Sequence, residues 1–179
     1  PPAEIEAADL AAFALELAVW GARPDELPLL TPPNPGSFAE AQNLLQMLGA
    51  IGGDGRITEH GTMLARLPVH PRLAHMLAPP GPKAAKLAAL LSDRDPLRGA
   101  DVDIPLRLKA LQSGGTPALK RIREEAKRLA RLTGGLCARE ITTAGMAALA
   151  YPDRIGQRRR GEAPRFVLAG GKGAVMPDG

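Results

Sequence analysis

The stretch "LLQMLGAIGGDGRITEHGTMLARLPVHPRLAHML", residues 44–77, decides how this chain is read. Its opening continues a helix in which Phe38, Ala41, Leu44, Leu45 and Leu48 recur at helical spacing and mark the buried face. "GAIGGDGRIT" (49–58) then sets two short β-prone runs around a Gly-Asp-Gly turn, the pattern of a tight β ribbon. Thr58 is placed to cap a further helix, "TEHGTMLARL" (58–67). Pro68 ends that helix, because an interior proline removes a hydrogen bond and clashes with the preceding turn. Leu67 and His70 each precede a proline and are pushed out of the α region. Pro71 suits the first turn of a new helix, where its missing N–H costs nothing. A joint this stiff is expected to fix the angle between two packed units.

On the N-terminal side, "ADLAAFALELAVWG" (8–21) puts Leu10, Phe13, Ala14, Leu17 and Trp20 on one stripe, and Gly21 ends the helix. Phe13, Trp20 and Phe38 therefore read as core. The connection at 23–36 is too proline-dense for a helix. Ser37 is expected to cap the next helix, with Glu40 completing a capping box. Helix, connection, helix, ribbon and helix in that order are compatible with a small winged-helix domain over residues 1–70.

Beyond the joint the pattern is helical: 71–77, a break at "PPGP" (79–82), then "KAAKLAALLSD" (83–93), closed by Asp93, Asp95 and Pro96. In "VDIPLRLKALQS" (102–113), Ile104 and Leu108 are expected to share a face with Leu111. "TPALKRIREEAKRLARLTGG" (116–135) is the strongest helix signal, with Leu119, Ile122, Ala126 and Leu129 on one stripe. A last helix is expected in 136–152, and residues 71–150 read as a helical bundle. From Tyr151 the grammar changes to short β-prone runs (154–157, 165–168, 174–176) between glycine-rich turns. Two or three strands form a marginal sheet by themselves, so 151–179 read as the beginning of a truncated β domain. The fold class is mainly α.

Length and composition narrow the function. With 179 residues, 45% of them hydrophobic, the chain can build one large domain or two or three small ones. It opens on Pro1 rather than methionine and is expected to be a fragment. No apolar run approaches the roughly 20 residues that span a bilayer, and no signal peptide is evident, so no membrane partner is expected. The single cysteine, Cys137, excludes an internal disulfide, suits a reducing cytoplasm and reads as a small packed residue. Residues 1–60 hold two basic and nine acidic side chains, whereas 61–179 hold 21 basic and 10 acidic. Opposite fields imply different partners: a protein neighbour for the acidic part and a polyanion for the basic part.

Bond-breaking chemistry has no support. "GGKGA" (170–174) has glycines and Lys172 but no following hydroxyl, and reads as a turn rather than a phosphate loop. His60, His70 and His75 do not form a metal-binding spacing, and no nucleophile elbow is present. No catalytic residue, cofactor or metal is expected within the chain. Binding is better supported. Lys120, Arg123, Lys127 and Arg131, spaced 3, 4 and 4 apart, form a cationic face that could track a phosphate backbone. The bland alternative is a solvated face, with Glu124 and Arg128 as an i,i+4 pair. Arg72 and Arg94, at helix ends, are further candidates, and "RRR" (158–160) is a turn-borne cluster. Aromatics are too few for a stacking platform, which favours contact through the backbone.

Four segments, residues 44–77, 89–99 ("ALLSDRDPLRG"), 103–108 ("DIPLRL") and 148–176, resemble the C-terminal accessory region of DEAH-box helicases, most closely bacterial HrpB-type ATP-dependent helicases. "PPGPK" (79–83) departs from the family's ordinary helix junction. The resemblance implies a winged-helix domain, a ratchet-like helical bundle and the first strands of an OB-like domain. These would pack on RecA-like motor domains of the same polypeptide, which would carry ATP and Mg, and would help hold single-stranded RNA, or DNA, in the cytoplasm. The alternatives are a free-standing winged-helix DNA-binding regulator, or a protein-docking scaffold without nucleic-acid binding. A groove-reading helix needs exposed cations, and 58–67 offers only Arg66 at its far end.

Overall fold

The structure, a computed structural model, describes residues 3–97, 103–113, 115–136, 139–161 and 163–175. The chain divides into two compact units, Pro1–His75 and Met76–Gly179.

The first unit contains α1 (Glu4–Ala7), α2 (Ala11–Trp20), α3 (Pro35–Met47), α4 (Glu59–Ala65) and most of α5 (Pro71–Leu77). α2 ends at Gly21, whose φ of 69° is the left-handed cap expected of glycine. α3 begins two residues before Ser37: Asn34 Oδ1 accepts from the Gly36 and Ser37 N–H groups at 2.9 and 3.2 Å, with Pro35 pre-set for the first turn. Asparagine caps as well as serine does, so the expected box at Ser37 and Glu40 gives way to it. The ribbon is one antiparallel bridge between Ile51 and Ile57 rather than two strands. Glycines at 49, 52, 53 and 55 leave too few side chains to extend a ladder. Thr58 caps α4 as expected, accepting from the Gly61 N–H at 2.9 Å while its hydroxyl donates to the Gly49 carbonyl at 2.7 Å.

Leu10, Leu15, Leu45, Leu48, Ile51 and Leu64 are among the core of this unit. Phe13 and Phe38 meet edge to face at 6.3 Å, both half-buried. Trp20, by contrast, is 69% exposed and lines an open cleft with Arg23 and Arg56. Helical spacing fixed its angular position but not how far along the axis the covering elements reach.

The second unit carries a 3-10 turn (Gly81–Ala84), α6 (Ala85–Ser92), α7 (Ile104–Ser113), α8 (Pro117–Leu132) and α9 (Thr143–Ala150). α8 buries Leu119, Ile122, Ala126 and Leu129, the expected stripe, and packs on α6 and α7. Thr116 caps it, with Pro117 in its first turn. α7 turns Arg107 and Leu111 inward, while Ile104 and Leu108 are only half-buried. Arg107 is drawn in by Asp95, which takes Nε at 3.0 Å and Nη2 at 2.6 Å. α9 starts at Thr143, capped by Thr142, rather than near 136. Cys137 lies outside the described residues.

Three strands follow: β1 (Gly156–Arg158), β2 (Arg165–Leu168) and β3 (Gly173–Val175), in antiparallel order β1-β2-β3. "GGKGA" supplies the β2–β3 turn, where the Leu168 N–H donates to the Lys172 carbonyl at 2.8 Å. Among the described residues no helix is long and apolar enough to cross a membrane.

Candidate nucleic-acid interface

α8 carries six cations and two carboxylates on the arc left over by its buried stripe. A helix rotates about 100° per residue, so these charges divide into two outward arcs. One arc is structural. Arg121 grips Asp93 with two bonds, Nε at 2.7 Å and Nη2 at 2.9 Å, and Arg128 grips Glu125 at 2.8 and 2.6 Å. The Arg121 hydrogen bonds hold the Asp93 carboxyl below its ordinary range, and Arg128 does the same to Glu125.

The other arc holds Lys120, Arg123, Lys127 and Arg131, which the fold brings together as the spacing predicted. Lys120, Lys127 and Arg131 are exposed and Arg123 is half-buried. Arg123 Nη1 donates to the Leu111 carbonyl at 3.0 Å, near the end of α7. Lys127 donates to Glu124 at 2.8 Å, so Glu124 sits among the cations, lowered in pKa first by Lys127 and further by Arg131 and Arg123. The expected pair of Glu124 with Arg128 is not formed, because each carboxylate takes the cation three residues on. With side chains 65% and 71% exposed, the Lys127 and Glu124 pair is screened by water and holds neither side chain firmly.

The other candidates lie elsewhere. Arg72 is in the first unit, lining a cleft with Asp9 and Glu40. Burial works against Asp9 ionising, but the Ala11 N–H, His70 and the charge of Arg72 outweigh it and lower its pKa. Arg94 is exposed beside the structural arc, its N–H donating to Asp93 at 2.7 Å. Arg158, Arg159 and Arg160 are all exposed around the β1–β2 connection. His60 Nε2 and His75 Nδ1 meet at 2.8 Å within the first unit. Among the described residues no group of three or more His, Cys, Asp or Glu could hold a metal. Sequence reasoning missed Lys86, which α6 brings to a cavity shared with Arg123 and Lys127. Some 40 positions separate it from them, and no local signal joins such distant residues.

The helicase-associated domain (HA2), winged-helix, family matches residues 41–69. The ATP-dependent RNA helicase HrpB of Escherichia coli (strain K12) is 32% identical in an alignment covering 97% of this chain and 21% of that protein. A crystal structure of E. coli DExH-box NTPase HrpB superposes with a TM-score of 0.74 at 33% identity, covering 98% of this chain and 21% of that one. A crystal structure of Escherichia coli DEAH/RHA helicase HrpB gives a TM-score of 0.75 at 34% identity, with 98% and 22% covered. The chain thus spans about a fifth of the length of these relatives. It is similar to their helicase-associated, C-terminal region over nearly all of its own length.

Proposed function

We propose that this chain, a helicase-associated region similar to that of HrpB, is an accessory part of an ATP-dependent RNA helicase and holds single-stranded nucleic acid along α8. In this reading residues 1–70 are the winged helix, 71–150 a ratchet-like bundle, and 151–179 the start of an OB-like domain. Motor domains of the RecA type in the same polypeptide bind ATP with Mg and consume it, in the cytoplasm. The chain itself supplies grip rather than chemistry.

One observation carries the reading: four cations share an outward arc of α8, spaced over about 16 Å of helix axis, with three of them exposed. Such a row attracts a phosphodiester backbone without reading sequence. Titrating salt against a labelled single-stranded RNA tests it. Four phosphate contacts predict a slope of about −3 in log K against log salt. Replacing Lys120, Arg123, Lys127 and Arg131 by glutamate should abolish low-salt binding while leaving the helical signal intact. Preference for duplex DNA would favour the regulator, binding to neither a scaffold, and unchanged RNA affinity in the variant would remove α8 from the interface.

A further inference from the structure

We propose that the cavity beside α8 is a base-binding subsite, which takes one unstacked nucleobase of a single strand while Lys86 and Lys127 hold the flanking phosphates. The proposal rests on the reading of α8 as a nucleic-acid interface and goes beyond phosphate contact alone.

The cavity measures about 450 Å³ and is floored by Pro82, Leu111, Ala126 and Ala130. Its size falls in the range of small-molecule sites. Three of these four side chains are alanine or proline, and a nucleobase gains by burying its faces against apolar surface. Lys86, Arg123 and Lys127 line the same space. Lys86 comes from α6 and Lys127 from α8, so the cations stand on two different elements around one apolar floor.

Arg123 then has a role that spacing could not give it. Its Nη1 bond to the Leu111 carbonyl at 3.0 Å anchors a half-buried guanidinium at the cavity. A planar, weakly hydrated, pre-positioned cation is suited to stacking on a base. Gln112 also lines the cavity, and its amide can both donate to and accept from a base edge. An acidic amphipathic peptide could use the same apolar floor and charges. The nucleic acid is favoured because cations continue past the cavity to Lys120 and Arg131 on the same helix arc, which suits a ligand whose negative charge repeats.

The test uses this chain and two labelled probes of about 12 nucleotides, an oligouridylate and an abasic ribose-phosphate oligomer of equal length. The oligouridylate is expected to bind about fivefold tighter or better. Ala130→Leu fills the cavity from a half-buried position, and Gln112→Ala removes an exposed amide. Ala130→Leu should erase the base preference and Gln112→Ala should reduce it, each with a far smaller effect on the abasic probe, and Lys86→Glu should weaken both probes. Gln112→Ala keeps the test informative if the leucine disturbs folding. Equal binding of the two probes by the unaltered chain would overturn the subsite and leave the phosphate-holding reading standing. Binding of neither probe would sink both. An acidic amphipathic peptide that binds where neither probe does, and is lost in Ala130→Leu, would assign the cavity to protein and overturn the proposal.

Discussion

The two units differ in how far their arginine and lysine pairs reach along the chain, the i,i+3 pairs within α8 aside. In the first, Arg23 pairs with Asp25 and Arg56 with Asp54, partners two residues apart that close turns. In the second, Asp93 holds Arg121, Asp95 holds Arg107 and Lys83 holds Glu140, each joining segments far apart in sequence. The first unit relies on close packing: a Cβ at Gly61 would lie 2.0 Å from the Ala50 carbonyl oxygen and 2.7 Å from Ile57 Cδ1. α4 therefore meets the ribbon at backbone distance. Where apolar fit fixes the elements, the pairs Arg23–Asp25 and Arg56–Asp54 stay within local turns. In the bundle, one charged arc of α8 is tied to the chain before it through Arg121 and Asp93, and on the neighbouring arc Lys120, Lys127 and Arg131 are exposed.

The largest effect should come from breaking the fit of the first unit. Gly61→Ala is expected to cost about 3 kcal/mol or more in urea unfolding, because the carbonyl it meets belongs to backbone that cannot swing aside. Gly53→Ala, with open space around its Cβ, should stay within about 0.5 kcal/mol. Equal tolerance at both positions would deny the close approach.

The second unit should fail through charge. Asp95→Ala takes two charge-assisted bonds from an Arg107 side chain that is only 10% exposed, and should lower the melting temperature clearly. Arg121→Ala should lower it less, since that guanidinium is 63% exposed, and Arg23→Ala hardly at all. Melting curves that rank Arg23→Ala with Asp95→Ala would erase the contrast between the units.

Elements with clear local signals were legible in the sequence: the buried stripe of α8, the cap at Thr58, and the β2–β3 turn at Lys172 all stand where the residues put them. What the sequence left open depends on distant partners. Arg107 turns inward on α7 to meet Asp95, a partner that nothing local announces. Trp20 kept its angular place on α2 yet stayed exposed. Asn34 displaced Ser37 because two good caps competed within four residues. The candidate interface was half legible in the same sense. The row of four cations followed from spacing, whereas the fixed guanidinium of Arg123 and the approach of Lys86 required the packing of α6 and α7.

The smallest effect separates the units by pH. His60 and His75, in contact at 2.8 Å, are both held below the ordinary imidazole value of 6.5, His60 by burial and His75 by burial and the charge of His60. The unfolded chain then binds the proton more readily, so this contribution is complete above 6.5 and is lost as pH falls through the window below it. Asp93 and Asp95, lowered from 3.8 by their arginine hydrogen bonds, contribute above that value and lose it only in stronger acid. Acidifying from about pH 7.5 to about pH 5 should therefore weaken the first unit and spare the ion-paired framework of the second. Trp20, the sole tryptophan, reports on the first unit by fluorescence during urea unfolding. Its transition should move to lower urea at the acid end, and His60→Gln should flatten that movement. A midpoint indifferent to pH across this range would mean that the imidazole pair is not shielded from water, and that the first unit, like the second, resists mild acid.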